Sequence, residues 1–160
     1  MAEDIKITGL TKTEKYSELY PQVKALLKGE PDIIANMANI CAALKFAMNF
    51  FWVGFYLVKD NQLVLGPFQG PVACTRIQKG KGVCGQAWER NETIIVEDVD
   101  RFPGHIACSS LSRSEIVIPI YNAKNEIYGV LDVDSEKYAA FDETDKTELK
   151  KILSLLNIAN

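Results

Sequence analysis

The sequence predicts a single α+β domain, and three of its features indicate this class. Two segments near the N-terminus, 16–27 and 33–44, carry apolar residues at three- and four-residue steps, the period of one helix face. From Phe50 the chain becomes rich in aromatic and β-branched residues, which favour strands. A last segment, 142–158, returns to the helical period. We therefore expect residues 1–160 to form one domain, since domains commonly have about 100–200 residues.

The two N-terminal helices are separated by Gly29-Glu30-Pro31, a combination that ends helices. Pro21 falls inside the first apolar stripe, and we expect it to kink that helix or to reset its start. Cys41 lies on the apolar stripe of the second helix, where a free cysteine commonly behaves as a small core hydrophobe. We expect Cys41 to be a core residue.

The first predicted strand runs from Phe50 to Val58 and is followed by a turn and a second strand at 63–65. Side chains alternate along a strand. One face therefore carries Trp52, Gly54 and Tyr56, and the other carries Phe51, Val53, Phe55 and Leu57. Both faces are apolar, so we expect helices to cover one and a ligand pocket under loops to occupy the other. Further elements are predicted as a helix at 83–90, strands at 93–96, 115–121 and 127–133, and a last helix capped by Asp142.

Charge and hydropathy exclude several classes of partner. The chain has 18 basic and 21 acidic residues, interleaved rather than clustered, and so has no basic stripe for nucleic acid. Its most apolar stretch, 46–58, is shorter than the roughly 20 residues that span a bilayer. The N-terminus lacks the pattern of a signal peptide. We expect a cytoplasmic protein with no membrane or nucleic-acid partner, whose cysteines rest mainly as thiols.

Three cysteines lie in the glycine-rich middle of the chain, between residues 66 and 114: Cys74, Cys84 and Cys108. Their spacing matches no Cys-x-x-Cys metal knuckle, which disfavours a zinc site built with His105. Cys84 is expected at the start of a short helix, where the helix dipole favours a thiolate; a buried structural cysteine is the alternative.

Cys108 lies in a polar loop, and His105 and Arg113 are close enough in sequence to lower its pKa. Because loops commonly carry function, we expect Cys108 to be reactive. A Cys–His pair also allows a hydrolase. However, cysteine hydrolases take their base from a distant segment, which makes His105 a weak fit.

Three acids on the last two strands form a second group. Alternation places Glu115 on the face of its strand opposite the isoleucines, and places Asp132 and Asp134 together on the next strand. If these strands are neighbours, the three carboxylates meet on the face away from the core. Solvent exposure is the simple alternative, although aspartate is disfavoured in strands. Clustered carboxylates raise one another's pKa, so one of them can hold a proton near neutral pH.

These residues occur within stretches that resemble the GAF-domain free methionine-(R)-sulfoxide reductases, from about residue 49 to 145. The stretches are Phe51-Trp-Val-Gly-Phe-Tyr, Gly66-Pro-Phe-Gln-Gly-Pro, Ala73-Cys, Gly80-Lys-Gly-Val-Cys-Gly, Val99-Asp-Arg-Phe-Pro-Gly-His-Ile-Ala-Cys, Ser112-Arg-Ser-Glu and Gly129-Val-Leu-Asp-Val-Asp-Ser. The resemblance implies a GAF fold: a six-stranded antiparallel sheet with helices on one face and the pocket on the other. It also implies a homodimer.

The resemblance further implies a reaction and a role for each residue. Cys108 resembles the nucleophile, Cys84 the resolving cysteine and Cys74 an auxiliary cysteine; Glu115, Asp132 and Asp134 resemble the acids that hold substrate, and Trp52 and Tyr56 the pocket walls. Free methionine sulfoxide is reduced to methionine through a sulfenic acid and an intramolecular disulfide, which a thioredoxin-type thiol reduces. We expect Glu115 to supply the proton. No metal or organic cofactor is expected.

Two other classes of function compete with the reductase. A GAF sensor would bind a small ligand and pass on a signal, with no use for three cysteines at these positions. A redox switch would oxidise Cys84 and Cys108 without turning over a substrate. We rank the reductase first, the sensor second and a zinc-structural module third.

Overall fold

The computed structural model describes residues 4–106 and 109–159, and a six-stranded sheet lies at its centre. The strands are β1 (Trp52–Lys59), β2 (Gln62–Gln69), β3 (Arg76–Gln78), β4 (Ile94–Val96), β5 (Ser114–Tyr121) and β6 (Ile127–Ser135). They lie side by side in the order β3-β2-β1-β6-β5-β4, and every neighbouring pair is antiparallel. The predicted α+β class with a six-stranded antiparallel sheet is confirmed.

Four helices accompany the sheet: α1 (Lys12–Leu26), α2 (Ile33–Met48), α3 (Gly82–Arg90) and α4 (Glu143–Leu153). Thr11, Asp32 and Asp142 cap α1, α2 and α4, each accepting a hydrogen bond from a backbone N–H of the first turn. The Asp142 cap is as predicted. Within the described ranges, no helix combines the length and apolar character that crossing a membrane requires.

The sequence left one local feature of α1 open and ended one strand too early. Pro21 does not reset the start of α1, because the reciprocal hydrogen bonds of Thr11 and Glu14 begin the helix at Lys12. Strand β2 extends beyond the predicted 63–65 to Gln69. Its register shifts opposite Phe55, where Gly66 and Pro67 form an irregularity in the strand. Proline has no N–H to donate to the sheet, and it is tolerated at such a bulge because the ladder is already interrupted there.

The sheet has two apolar faces, and the alternation is as predicted from Trp52 to Leu57. The prediction for Phe51 is wrong: it precedes β1 and packs against the cavity cluster, not with Val53. Val53, Phe55 and Leu57 pack with residues of α1, α2 and α4 in the larger core. Trp52 and Tyr56 belong to a second apolar cluster on the opposite face, together with residues of α3. Three helices therefore cover one face, whereas α3 shares the other face with the loops between strands.

A buried carboxylate ties α1 to α4 at the edge of the larger core. Asp145 has no exposed surface and accepts hydrogen bonds from the Tyr16 hydroxyl (2.9 Å), the Asp142 backbone N–H (2.9 Å) and the Lys12 ammonium. Burying a carboxylate is costly unless hydrogen bonds and a cation compensate it. Here all three partners come from the two helices, so the network fixes their relative position.

Replacing Tyr16 by Phe is expected to destabilise the fold by about 1–2 kcal/mol, because it leaves the buried Asp145 with one donor fewer. Urea unfolding measures this loss as a lower midpoint. Tyr20→Phe is the matched control: Tyr20 lies on the same helix and is half-buried, and its hydroxyl makes no hydrogen bond to any described residue. Equal midpoints for the two variants would contradict the role given to the network.

Candidate active site

A cavity of about 570 Å³, including its open mouth, lies on the α3 face of the sheet. Its walls come from β1, β5, β6, the start of α3 and the loops at 71–73, 105–106 and 109–112. Six of the predicted site residues line it: Trp52, Tyr56, Cys84, Glu115, Asp132 and Asp134. A cavity is therefore present where the sequence predicted a ligand pocket under loops.

Strand register brings the three acids together. β6 lies between β1 and β5, so that Asp134 faces Trp52 on one side and Glu115 on the other. One row further along, Asp132 lies between Gly54 and Val117. Residues two apart on a strand share a face, so all three carboxylates project into the cavity. The alternative of solvent exposure is wrong, because Glu115 is 6% and Asp132 7% exposed.

These buried carboxylates have no basic partner in the described part of the chain, where the ion pairs all lie elsewhere. Burial raises the pKa of Glu115 well above its ordinary value, and the charges of Asp132 and Asp134 raise it further. Burial and the charge of Asp134 likewise raise the pKa of Asp132. The pKa of Asp134 rises only to about 6, since a hydrogen bond from Ser112 opposes the effect of burial.

One oxygen of this cluster has no hydrogen-bond partner among the described residues. Asp132 Oδ1 is buried and accepts no hydrogen bond from any described residue. An unsatisfied buried carboxylate oxygen costs free energy that a bound donor would recover. The cluster is therefore suited to a cationic hydrogen-bond donor that enters the cavity.

Ser112 is a contact that sequence reasoning missed. Its hydroxyl donates a hydrogen bond to Asp134, and the side chain is buried at the cavity wall. Ser112 lies within one of the resembling stretches, but serine is too common in loops for its type alone to indicate this role.

The aromatic wall depends on one glycine. Trp52 stacks on Tyr56 at a ring-centroid distance of 6.0 Å and on Phe68 at 5.5 Å. A Cβ atom at Gly54 would lie 2.3 Å from the Trp52 ring and 2.5 Å from the Phe68 Cβ. Glycine at this position is what allows the indole to lie flat over the sheet, beside the acids.

Cys84 occupies the first turn of α3, as predicted, but the expected thiolate is wrong. Its sulfur is buried, 3.9 Å from Glu115 Oε1. Burial raises the pKa of the Cys84 thiol well above its ordinary value, and the charges of Asp132, Glu115 and Asp134 raise it further. The partial positive charge at a helix N-terminus is about half an elementary charge. It does not offset full burial among three acids.

The other cysteines differ in environment. Cys41 lies in the larger core as predicted, and burial raises the pKa of its thiol to about 12. Cys74 follows the cavity residue Ala73, is half-buried and is disulfide-bonded. Cys108, the predicted nucleophile, lies outside the described residues. His105 lines the cavity, and burial lowers the pKa of its imidazole.

A metal ion would find its ligands in the acid cluster. Ligand atoms of Cys84, Glu115 and Asp132 lie within 4.8 Å of one another, and they form the one such group in ranges 4–106 and 109–159. Cys74 and His105 do not belong to this group.

Comparisons with known proteins agree with this fold. The model of the GAF domain family matches residues 30–159. GAF domain-containing protein A of Dictyostelium discoideum is 61% identical over 98% of this chain and 99% of its own. The free methionine-R-sulfoxide reductase of Escherichia coli (strain K12) is 46% identical over 92% and 89% of the two chains.

A solved structure extends the comparison to a bound state. The free methionine-R-sulfoxide reductase of Neisseria meningitidis, in complex with its substrate, superimposes with a TM-score of 0.94. It is 51% identical and covers 98% of this chain and 93% of its own. The class that fold and site define is thus an α+β domain with a cysteine-containing acidic pocket. The chain belongs to the GAF domain family, and within it to the free methionine-R-sulfoxide reductases, a family of oxidoreductases.

The raised pKa of Asp134 makes stability depend on pH. Its value is about 6 when folded and 3.8 ordinarily, so between these values the folded state binds more protons than the unfolded state. Stability therefore falls as pH rises from about 4 through 6, and the loss is complete above that range. We expect Asp134→Asn to be more stable than wild type by about 1–3 kcal/mol at pH 8, with no difference below about pH 4.

Thermal unfolding at a series of pH values measures this difference. Glu136→Gln is the control, because Glu136 is an exposed acid two residues away. Its difference from wild type should not vary in this way with pH. A constant offset for Asp134→Asn across the range would contradict the buried-acid interpretation.

Proposed function

We propose that this protein reduces free L-methionine-(R)-sulfoxide to methionine. The observation that carries the proposal is a cluster of three carboxylates, two buried and one half-buried, with no basic partner among the described residues and beside an aromatic wall. The E. coli and N. meningitidis relatives, which are named for this activity, support the same substrate.

The substrate has groups that match both parts of the cavity. Its ammonium is a cationic donor, which suits Asp132 Oδ1 and the neighbouring carboxylates. Its methyl group is apolar, and the faces of Trp52 and Tyr56 offer an apolar surface that also attracts cations. A cavity that closes around both the ammonium and the carboxylate of the amino acid excludes the same residue within a peptide.

The reaction is thiol chemistry at sulfur. The Cys108 thiolate attacks the sulfoxide sulfur and forms an S–S bond. The protonated oxygen then moves to Cys108 Sγ as the S–O and S–S bonds break, so that methionine leaves with two more electrons and Cys108 becomes a sulfenic acid. The oxygen needs a proton as this occurs. Glu115 is suited to deliver it, because its burial and acidic neighbours raise its pKa and so keep it protonated near neutral pH.

A second thiol then condenses with the sulfenic acid to give a disulfide and water. The resemblance assigns this resolving role to Cys84, but the thiol environments favour Cys74. Attack requires a thiolate, and the buried Cys84 has a pKa raised well above its ordinary value. Cys74, in contrast, is already disulfide-bonded. In this scheme Cys84 stays a neutral thiol beside Glu115.

Completion of the cycle needs an external reductant. We propose a thioredoxin-type dithiol, which reduces the protein disulfide by exchange and is itself oxidised. Such a donor places the reaction in the reducing cytoplasm. We further propose a homodimer, as the family resemblance implies. The reaction as written balances without a metal or an organic cofactor.

One prediction of the proposed function concerns the nucleophile, Cys108. With dithiothreitol as reductant, wild type is expected to release methionine from free L-methionine-(R)-sulfoxide, and Cys108→Ser to lose this activity by at least about a thousandfold, because serine is a far weaker nucleophile. Chromatographic measurement of methionine checks this. Cys41→Ala, which changes a core cysteine away from the cavity, is the control that should keep activity.

Two further outcomes of that assay separate the competing functions. If wild type forms no methionine from either epimer, the reductase is wrong and a GAF sensor becomes the leading account. Glu115→Gln separates a reductase from a redox switch, because it removes the proton donor but keeps the cysteines. It should lose sulfoxide turnover while peroxide still oxidises its thiols; retained turnover would exclude Glu115 as the acid.

Another prediction of the proposed function concerns the resolving cysteine. After one turnover without reductant, wild type and Cys84→Ser are expected to carry an intramolecular disulfide, since neither lacks Cys74. Cys74→Ser should instead retain a sulfenic acid that dimedone traps. Mass spectrometry of the peptides distinguishes the two products. A trapped sulfenic acid in Cys84→Ser, with a disulfide in Cys74→Ser, would return the resolving role to Cys84.

A further inference from the structure

The two aromatic walls of the cavity also hold the segment that contains Cys74. The indole N–H of Trp52 donates a hydrogen bond to the Pro71 carbonyl at 3.0 Å, and the Tyr56 hydroxyl donates one to the Cys74 carbonyl at 2.9 Å. Both donors lie on β1, and both acceptors lie between β2 and β3. The side chains thus connect the sheet to the chain segment at each end of residues 71–74.

This segment lies outside regular secondary structure, although Ala73 and Cys74 pack against the cavity cluster. Residues 71–74 form no helix or strand, and Val72 within it is 88% exposed. Carbonyls outside regular structure need partners from side chains or water. The Tyr56 hydroxyl is such a partner for the Cys74 carbonyl, and it approaches from the buried side of the segment.

The donors themselves are held rigidly. Tyr56 is 1% and Trp52 5% exposed, and the two rings stack on each other with Phe68 beyond Trp52. Burial raises the pKa of the Tyr56 phenol, as do Asp132 and its neighbours, so the hydroxyl keeps its proton throughout the physiological range. A fixed donor of this kind restricts where the Cys74 backbone lies.

We propose that Tyr56 is a positioning residue for Cys74, whose hydroxyl holds the Cys74 carbonyl so that the thiol is correctly placed to form its disulfide. This role is additional to that of Tyr56 as a wall of the pocket. It rests on the proposed function only because that function uses the Cys74 disulfide to resolve the sulfenic acid. It differs from the role of Trp52, which holds the other end of the segment at Pro71. If Tyr56 acts by placing Cys74, the effect of removing its hydroxyl on thiol oxidation must disappear when Cys74 is absent.

The test is the rate of disulfide formation in Tyr56→Phe, which keeps the ring and removes the donor. The reduced protein is treated with hydrogen peroxide, and the Cys74 disulfide is followed by quenched mass spectrometry. We expect a slowing of about 3- to 10-fold, the effect of losing one hydrogen bond. In the Cys74→Ser background, where the sulfenic acid decays by reaction with added thiol, the same change should add no slowing.

Controls separate positioning from general damage. Tyr121→Phe removes another hydroxyl, one that donates to Asn91 away from the cavity, and should match wild type. Tyr56→4-aminophenylalanine restores a donor at the same place and should recover the rate, which a loss of folding would not allow. Unchanged disulfide formation in Tyr56→Phe, or equal slowing with and without Cys74, overturns the proposal. Because peroxide replaces sulfoxide, this result is independent of whether wild type turns over methionine sulfoxide.

Discussion

The arrangement of this protein depends on burying both faces of one antiparallel sheet. Each strand of the centre contributes side chains alternately to two apolar clusters, so a slip of one residue would exchange core residues for cavity residues. The larger cluster, under α1, α2 and α4, is apolar and fixes the register. Once the register is fixed, the residues at the alternate positions necessarily project from the other face.

Those alternate positions carry the carboxylates at a cost in stability. Glu115 and Asp132 are nearly fully buried on neighbouring strands, and no cation among the described residues compensates them. Burial of like charges raises their pKa values and destabilises the folded state near neutral pH. Such an arrangement is typical of functional sites, where a ligand supplies the missing partner. The same electrostatics raises the pKa of both Glu115 and the Cys84 thiol, which is why we propose Glu115 as the proton donor.

The cavity and the thiol chemistry share residues. Trp52 and Tyr56 present their rings to the cavity and their polar atoms to the segment before β3. An aromatic side chain with a polar end is suited to both tasks, because its ring packs while its N–H or O–H finds a partner. In the proposed scheme, substrate binding and cysteine placement are coupled through these two side chains of one strand. Gly54 between them provides the space that the stack needs.

Much of this could be predicted from the sequence, because the signals are local. Periodicity placed the helices and the two faces of β1, and the acidic residues at Asp132 and Asp134 indicated an unusual strand face. The two apolar faces of β1 predicted a pocket, and family resemblance added the roles of its residues. Tertiary structure alone decided the rest. The order of the strands set Asp134 between Trp52 and Glu115, Ser112 reached Asp134 from a loop, and burial among acids reversed the expected pKa of Cys84. These outcomes depend on contacts between residues distant in the chain, which local sequence patterns do not encode.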